Sequence, residues 1–95
     1  MDIRYYIDPD TGGPHVYAHG VTEAEVEDIV RDPLERRRGS GDSKVLLGKT
    51  RGGRFLRVIA SFDEDGAGVF VVTAYDLEGK PLKALKRRLR GRGRS

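Results

Sequence analysis

The stretch KVLLGKTRGGRFLRVIASFDEDGAGVFVVTAY, residues 44–75, decides the fold. It holds three runs rich in Val, Ile, Leu and Phe, at 44–50, 54–62 and 69–75, separated by RGG and by DEDGAG. Runs of this length between glycine-rich and acidic turns read as strands. Connections this short force antiparallel pairing, so a three-stranded meander is expected. Side chains alternate between the two faces of a strand. In the middle run Leu56, Val58, Ala60 and Phe62 form the more apolar set, and in the last run Phe70, Val72 and Ala74 do the same. Matching these core faces puts Arg57 and Tyr75 together on the opposite face, provided the register does not slip by one residue.

Outward from the meander, IRYYI at 3–7 is rich in β-formers and is expected to add a fourth strand. DPDTGGP follows as a break, and HVYAHG at 15–20 fits a single helical turn closed by Gly20. Thr22 with Glu25 three positions on makes a capping box, with Val21 and Val26 placed as a hydrophobic staple. Glu23, Glu25, Glu27 and Asp28 suit the first turns of a helix, Val26, Ile29 and Val30 form an apolar stripe, and Pro33 ends the run. A helix over 23–31 is expected. ERRRGSGDS at 35–43 reads as a polar loop.

The last seventeen residues, GKPLKALKRRLRGRGRS, contain eight Lys or Arg and no acid. Leu82, Leu85 and Leu89 share one helical sector, while Lys83, Lys86, Arg87 and Arg90 share a neighbouring one. A helix over 81–90 should dock its leucines and turn its cations outward. The expected fold class is α+β, with a mainly antiparallel four-stranded sheet carrying its helices on one face. Residues 1–90 are expected to form a single domain and 91–95 a basic, flexible tail.

Composition narrows the function. The 95 residues carry a net charge of +3, but residues 1–43 have five basic against ten acidic side chains and residues 44–95 have thirteen against five. A basic working surface facing a polyanion, or an acidic protein, follows from that asymmetry. There is no cysteine, which removes disulfide and thiolate chemistry. No apolar run reaches membrane-spanning length and no signal peptide is recognisable, so a cytoplasmic protein is expected. His15 and His19 are four residues apart, as ligands on a helix are, but Asp8 and Asp10 are the nearest further donors. The pair reads as surface histidines, with no metal or cofactor expected. The basic and aromatic residues of the second half are those suited to RNA. Lys49, Arg51, Lys80, Lys83 and Arg87 would hold phosphates, and Tyr75 and Phe55 would stack on bases.

HVYAHGVTEAEVEDIVRDPLE (15–35) is similar to the KHGVS…EE…DP stretch of BrnT-type toxins, whose fold belongs to the RelE/ParE-like group. GKTRGGRFLRVIASF (48–62) and VFVVTAYDLEGKPLKALKRR (69–88) resemble the paired strands and last helix of that family. The resemblance implies the toxin of a type II toxin–antitoxin system. Such a toxin is a metal-independent endoribonuclease that inhibits translation and is silenced by a cognate antitoxin protein. It places the family's basic strand residue on Arg57, with Arg54 nearby. The Ser-Ala-Arg common after the last strand is replaced by Thr73-Ala74-Tyr75. Arg57, Arg54 and Tyr75 are thus the candidate catalytic set. Two other readings fit the same residues: a non-catalytic nucleic-acid-binding module, and a protein-interaction domain whose basic helix recruits an acidic partner.

Overall fold

The computed structural model describes residues 1–92. Its elements are β1 (Asp2–Tyr5), a 3₁₀ helix (His15–His19), α1 (Glu23–Arg31), β2 (Glu35–Arg38), β3 (Lys44–Lys49), β4 (Phe55–Phe62), β5 (Gly68–Asp76) and α2 (Gly79–Arg92). The five strands form one mixed sheet in the order β1-β5-β4-β3-β2. The meander β3-β4-β5 is antiparallel as expected.

Four expectations are corrected. First, the sheet has a fifth strand, because Glu35–Arg38 pairs antiparallel with β3 instead of looping out. An edge strand needs one hydrogen-bonding partner and no apolar alternation, and charged side chains suit its exposed border. Second, β1 lies parallel to β5, with Ile3 opposite Val69 and Tyr5 opposite Val71. Third, the alternation of β5 changes phase. Val69, Val71 and Ala74 are buried, not Phe70 and Val72. The register passes from Ala60↔Val71 to Ile59↔Thr73, leaving Val72 as the extra residue of a bulge. Fourth, the helices lie on opposite faces. Val26, Ile29 and Val30 of α1 pack with Leu46, Leu56 and Val58, whereas Leu85 of α2 packs with Leu47 and Leu77. Leu46 and Leu47 are neighbours on one strand and point to opposite sides.

α1 begins as its sequence demands. The Thr22 hydroxyl accepts from the Glu25 N–H at 3.2 Å, and Glu25 Oε1 accepts from the Thr22 N–H at 3.0 Å. The helix rests closely on β3 at Gly48, where an added Cβ would come within 3.0 Å of Ile29. The 3₁₀ helix ends at Gly20, whose φ of 69° is the left-handed conformation that glycine adopts freely. α2 starts at Gly79 and takes in Gly91 and Arg92, so those two residues are helical and not part of a tail. The remainder of the expected tail, 93–95, lies outside the described residues. Among the described residues no helix is long and apolar enough to cross a membrane.

Candidate functional site

One row of side chains crosses the α2 side of the sheet. Glu35 on β2 stands opposite Leu47 on β3, Leu47 opposite Arg57 on β4, and Arg57 opposite Tyr75 on β5. Arg57 and Tyr75 are therefore cross-strand neighbours, with the guanidinium carbon 5.9 Å from the Tyr75 ring centroid. The Arg57 Nε is buried and has no hydrogen-bond partner among the described residues. Thr73, on the same face two residues before Tyr75, has its Oγ1 in the same condition. Native proteins rarely leave such groups unpaired, and these two share one face of the sheet on neighbouring strands.

Beyond Tyr75 the row continues into the 3₁₀ helix. The His19 ring lies 5.9 Å from the Tyr75 ring, the His15 ring 5.4 Å from His19, and the Tyr6 ring 5.9 Å from His15, measured between centroids. The carboxylate of Asp8 lies 3.4 Å from His15 Nδ1. A carboxylate at this distance orients the imidazole ring. Tyr6, His15, His19, Val72, Thr73 and Tyr75 line a groove of about 490 Å³. β1 ends at Tyr5, so this end of β5 has no strand on its outer side and the 3₁₀ helix occupies that place. Sequence reading noted the His15–His19 spacing but treated the pair as surface residues. Tyr75, which joins them to Arg57, lies too far along the chain for spacing to reveal.

Arg54 is not brought to this site. It sits three residues before Arg57 and points to the α1 side. Its Nε donates to Asp76 Oδ1 at 2.6 Å, and its Nη1 donates to the Gly20 carbonyl at 2.8 Å and to Glu25 at 3.1 Å. Its Nη2 donates to the His19 carbonyl at 3.4 Å. The guanidinium thus ties the end of the 3₁₀ helix, the start of α1 and the end of β5 together. The Thr22 N–H and then Arg54 hold the Glu25 carboxyl below its usual range, and Arg54 does the same to Asp76. Arg54 places the His19 backbone and so sets where the imidazole meets Tyr75.

Residues 10–76 match the model of a family described as a domain of unknown function, DUF4258. The chain belongs to that family. No curated protein and no solved structure matches it. The DUF4258 segment contains His15, His19, Arg54, Arg57, Thr73 and Tyr75, whereas Tyr6, Asp8 and all of α2 fall outside it.

The cations expected to hold phosphate are dispersed around the DUF4258 segment and its following helix. Lys49 lies on the α2 side, with its ammonium 5.4 Å from the centroid of the Phe55 ring, and Lys86 approaches the same ring at 5.3 Å. Lys80, Lys83 and Arg87 are exposed on α2. Arg51 is 93% exposed but is drawn toward α1, its N–H donating to Asp28 at 3.0 Å and its Nε lying 3.5 Å from the same carboxylate. Arg88 and Arg92 turn inward. The Glu35 carboxylate, with its side chain only 5% exposed, accepts two bonds from Arg88 at 2.7 and 2.9 Å. It accepts one each from Arg37 and Arg92 at 2.9 Å. Arg88 is the main cause that lowers this carboxyl to about 2. The arrangement fastens α2 to the edge strand and was not foreseen, because Glu35 and Arg88 are 53 residues apart.

Proposed function

We propose that this DUF4258 chain is an endoribonuclease of the BrnT-type, RelE-like toxin kind, and that it cleaves RNA in the groove beside β5. One observation carries the reading: Asp8, His15, His19, Tyr75 and Arg57 follow one another as a chain of neighbours, and His15, His19 and Tyr75 of that chain line one groove. Imidazole is the side chain suited to exchanging protons near neutral pH, and a pair of them supplies both an acceptor and a donor. His15, oriented by Asp8, takes the proton from the ribose 2′-hydroxyl as its oxygen attacks phosphorus. The new bond from phosphorus to the 2′-oxygen forms as the bond to the 5′-oxygen breaks. His19 gives that leaving oxygen its proton, with the Tyr75 hydroxyl beside it. The Arg57 guanidinium offsets the negative charge that builds on the phosphoryl oxygens. The products are a 2′,3′-cyclic phosphate and a free 5′-hydroxyl.

Lys49 and Lys86 around Phe55, with Lys80, Lys83 and Arg87, form the track for the RNA backbone. An antitoxin that silences the domain covers the groove with an acidic or amphipathic segment and neutralises Arg57. The purified chain should cut single-stranded RNA into fragments ending in a cyclic phosphate. Alanine at His15 or at His19 should slow this by about 100-fold, the lower end of what a positioned acid or base contributes, with the melting temperature unchanged.

A second reading rests on a separate observation. Lys49 and Lys86 both stand over the Phe55 ring, outside the groove's lining, and join cations to an aromatic face as nucleic-acid-binding surfaces do. That reading predicts binding that weakens steeply with salt. Intact RNA after prolonged incubation, together with such binding, would establish it and overturn the endonuclease.

A further inference from the structure

Arg57 stands against Tyr75 and is not itself part of the groove's lining. Tyr6, His15, His19, Val72, Thr73 and Tyr75 line the groove, and none of them carries a fixed charge that would draw a phosphate. Tyr6 and Val72, at 43% and 38% exposed, are two of the few large apolar side chains left open in the molecule. Val72 is open because the bulge takes it out of the core alternation. Thr73 lies on the same face of β5 as Tyr75, two residues before it, with its hydroxyl oxygen buried and unpaired among the described residues. Rotation about χ1 carries a threonine's hydroxyl from one staggered position to another. A group in the groove that offers a hydrogen bond can therefore turn the hydroxyl toward itself and end its isolation, which is costly to maintain.

These features select a ligand. The volume suits one small molecule. Ring faces and edges along one wall suit a flat aromatic body. A hydroxyl that both donates and accepts suits a polar edge, and the Arg57 guanidinium behind Tyr75 suits an anion attached to that ligand. An aliphatic ligand would leave Thr73 and Arg57 unpaired, and inorganic phosphate would make no use of the rings. We infer that the groove is a pocket for a single nucleobase and that Thr73 reads that base's edge. This rests on reading the groove as one that faces RNA, and it adds the substrate feature that this reading leaves open: a preference for one base beside the cleaved bond.

The test uses the full chain, isotope-labelled, titrated with the 3′-monophosphates of uridine, cytidine, adenosine and guanosine. None has a phosphodiester to cut, so binding is measured apart from cleavage. Ribose 3-phosphate serves as the base-free control. One nucleotide should bind at least tenfold more tightly than the control, moving the NMR signals of His15 and of the Thr73 methyl. Thr73→Val should lower that affinity about tenfold, and Thr73→Ser, which keeps the hydroxyl, should retain it. If the control binds as tightly as every nucleotide, or if Thr73→Val leaves all four affinities unchanged, the base pocket is overturned. Base-selective binding without cleavage of any RNA supports the pocket and overturns only the endonuclease. Cleavage with no base preference does the reverse.

Discussion

Glu35 and Tyr75 stand at opposite ends of the same cross-strand row, and the cations beside them are in opposite conditions. At the Glu35 end three arginines converge on one buried carboxylate. At the Tyr75 end Arg57 has no ion-pair partner among the described residues, and its Nε is buried without a hydrogen bond. Both ends carry arginine, so residue type alone does not separate them. The difference lies in what the charge does. A guanidinium whose donors are satisfied within the fold holds elements together, whereas one left unsatisfied is available to a ligand. By that criterion Arg54 belongs with the Glu35 end, although it lies only three residues from Arg57.

The contrast can be broken most sharply at Arg57. Arg57→Met keeps much of the side chain's apolar stem and removes the guanidinium. RNA cleavage should fall by about 100-fold, the lower range for losing a group that stabilises transition-state charge, while the thermal midpoint stays within a degree or two. A folded Arg57→Met protein with full activity would end the assignment. Arg54→Met should behave in the opposite way. It removes several charge-assisted hydrogen bonds, each worth roughly 1.5–3 kcal/mol, so a loss of about 3 kcal/mol is expected. For a domain of this size that lowers the melting temperature by about 15 °C, measurable by circular dichroism. A smaller effect is expected from Glu35→Gln, about 2 kcal/mol, because its arginine partners are themselves partly in water.

That last change also has a pH signature. The folded Glu35 carboxyl lies at about 2, below its ordinary value of 4.5, so its contribution to stability is complete above about pH 4.5. It is lost as pH falls from there toward 2. The gap in urea midpoint between the parent chain and Glu35→Gln should therefore close across that interval. A gap that stays constant would mean that the carboxylate's charge is not what fastens α2.

Local features of the fold were legible in the sequence. Thr22 and Glu25 announce the start of α1, because a capping box is built from residues three apart. The burial of Leu56, Val58 and Ala60 follows from strand alternation, and so does the joint placement of Arg57 and Tyr75 on one face. Alternation in fact separates Arg54 from Arg57, since residues three apart on a strand point to opposite sides. Features that depend on distant partners were hidden. ERRR has the composition of a loop until β3 lies beside it and Arg88 meets Glu35. The phase of β5 holds from Thr73 onward and fails before it, because nothing in a run of valines marks which residue will be the extra one. His15 and His19 were visible as a pair, but their connection to Tyr75 exists only once the 3₁₀ helix lies along the end of β5.

The outer border of β2 has a consequence for the protein among its own copies. Open sheet margins invite zipping of one molecule onto the next, and this margin is lined by three successive arginines, Arg36, Arg37 and Arg38. A second copy arriving along it would bring the same charges into register with the first. The domain can thus keep a bare margin in a crowded solution without growing into fibres, and the repulsion that guards it will weaken as salt is added.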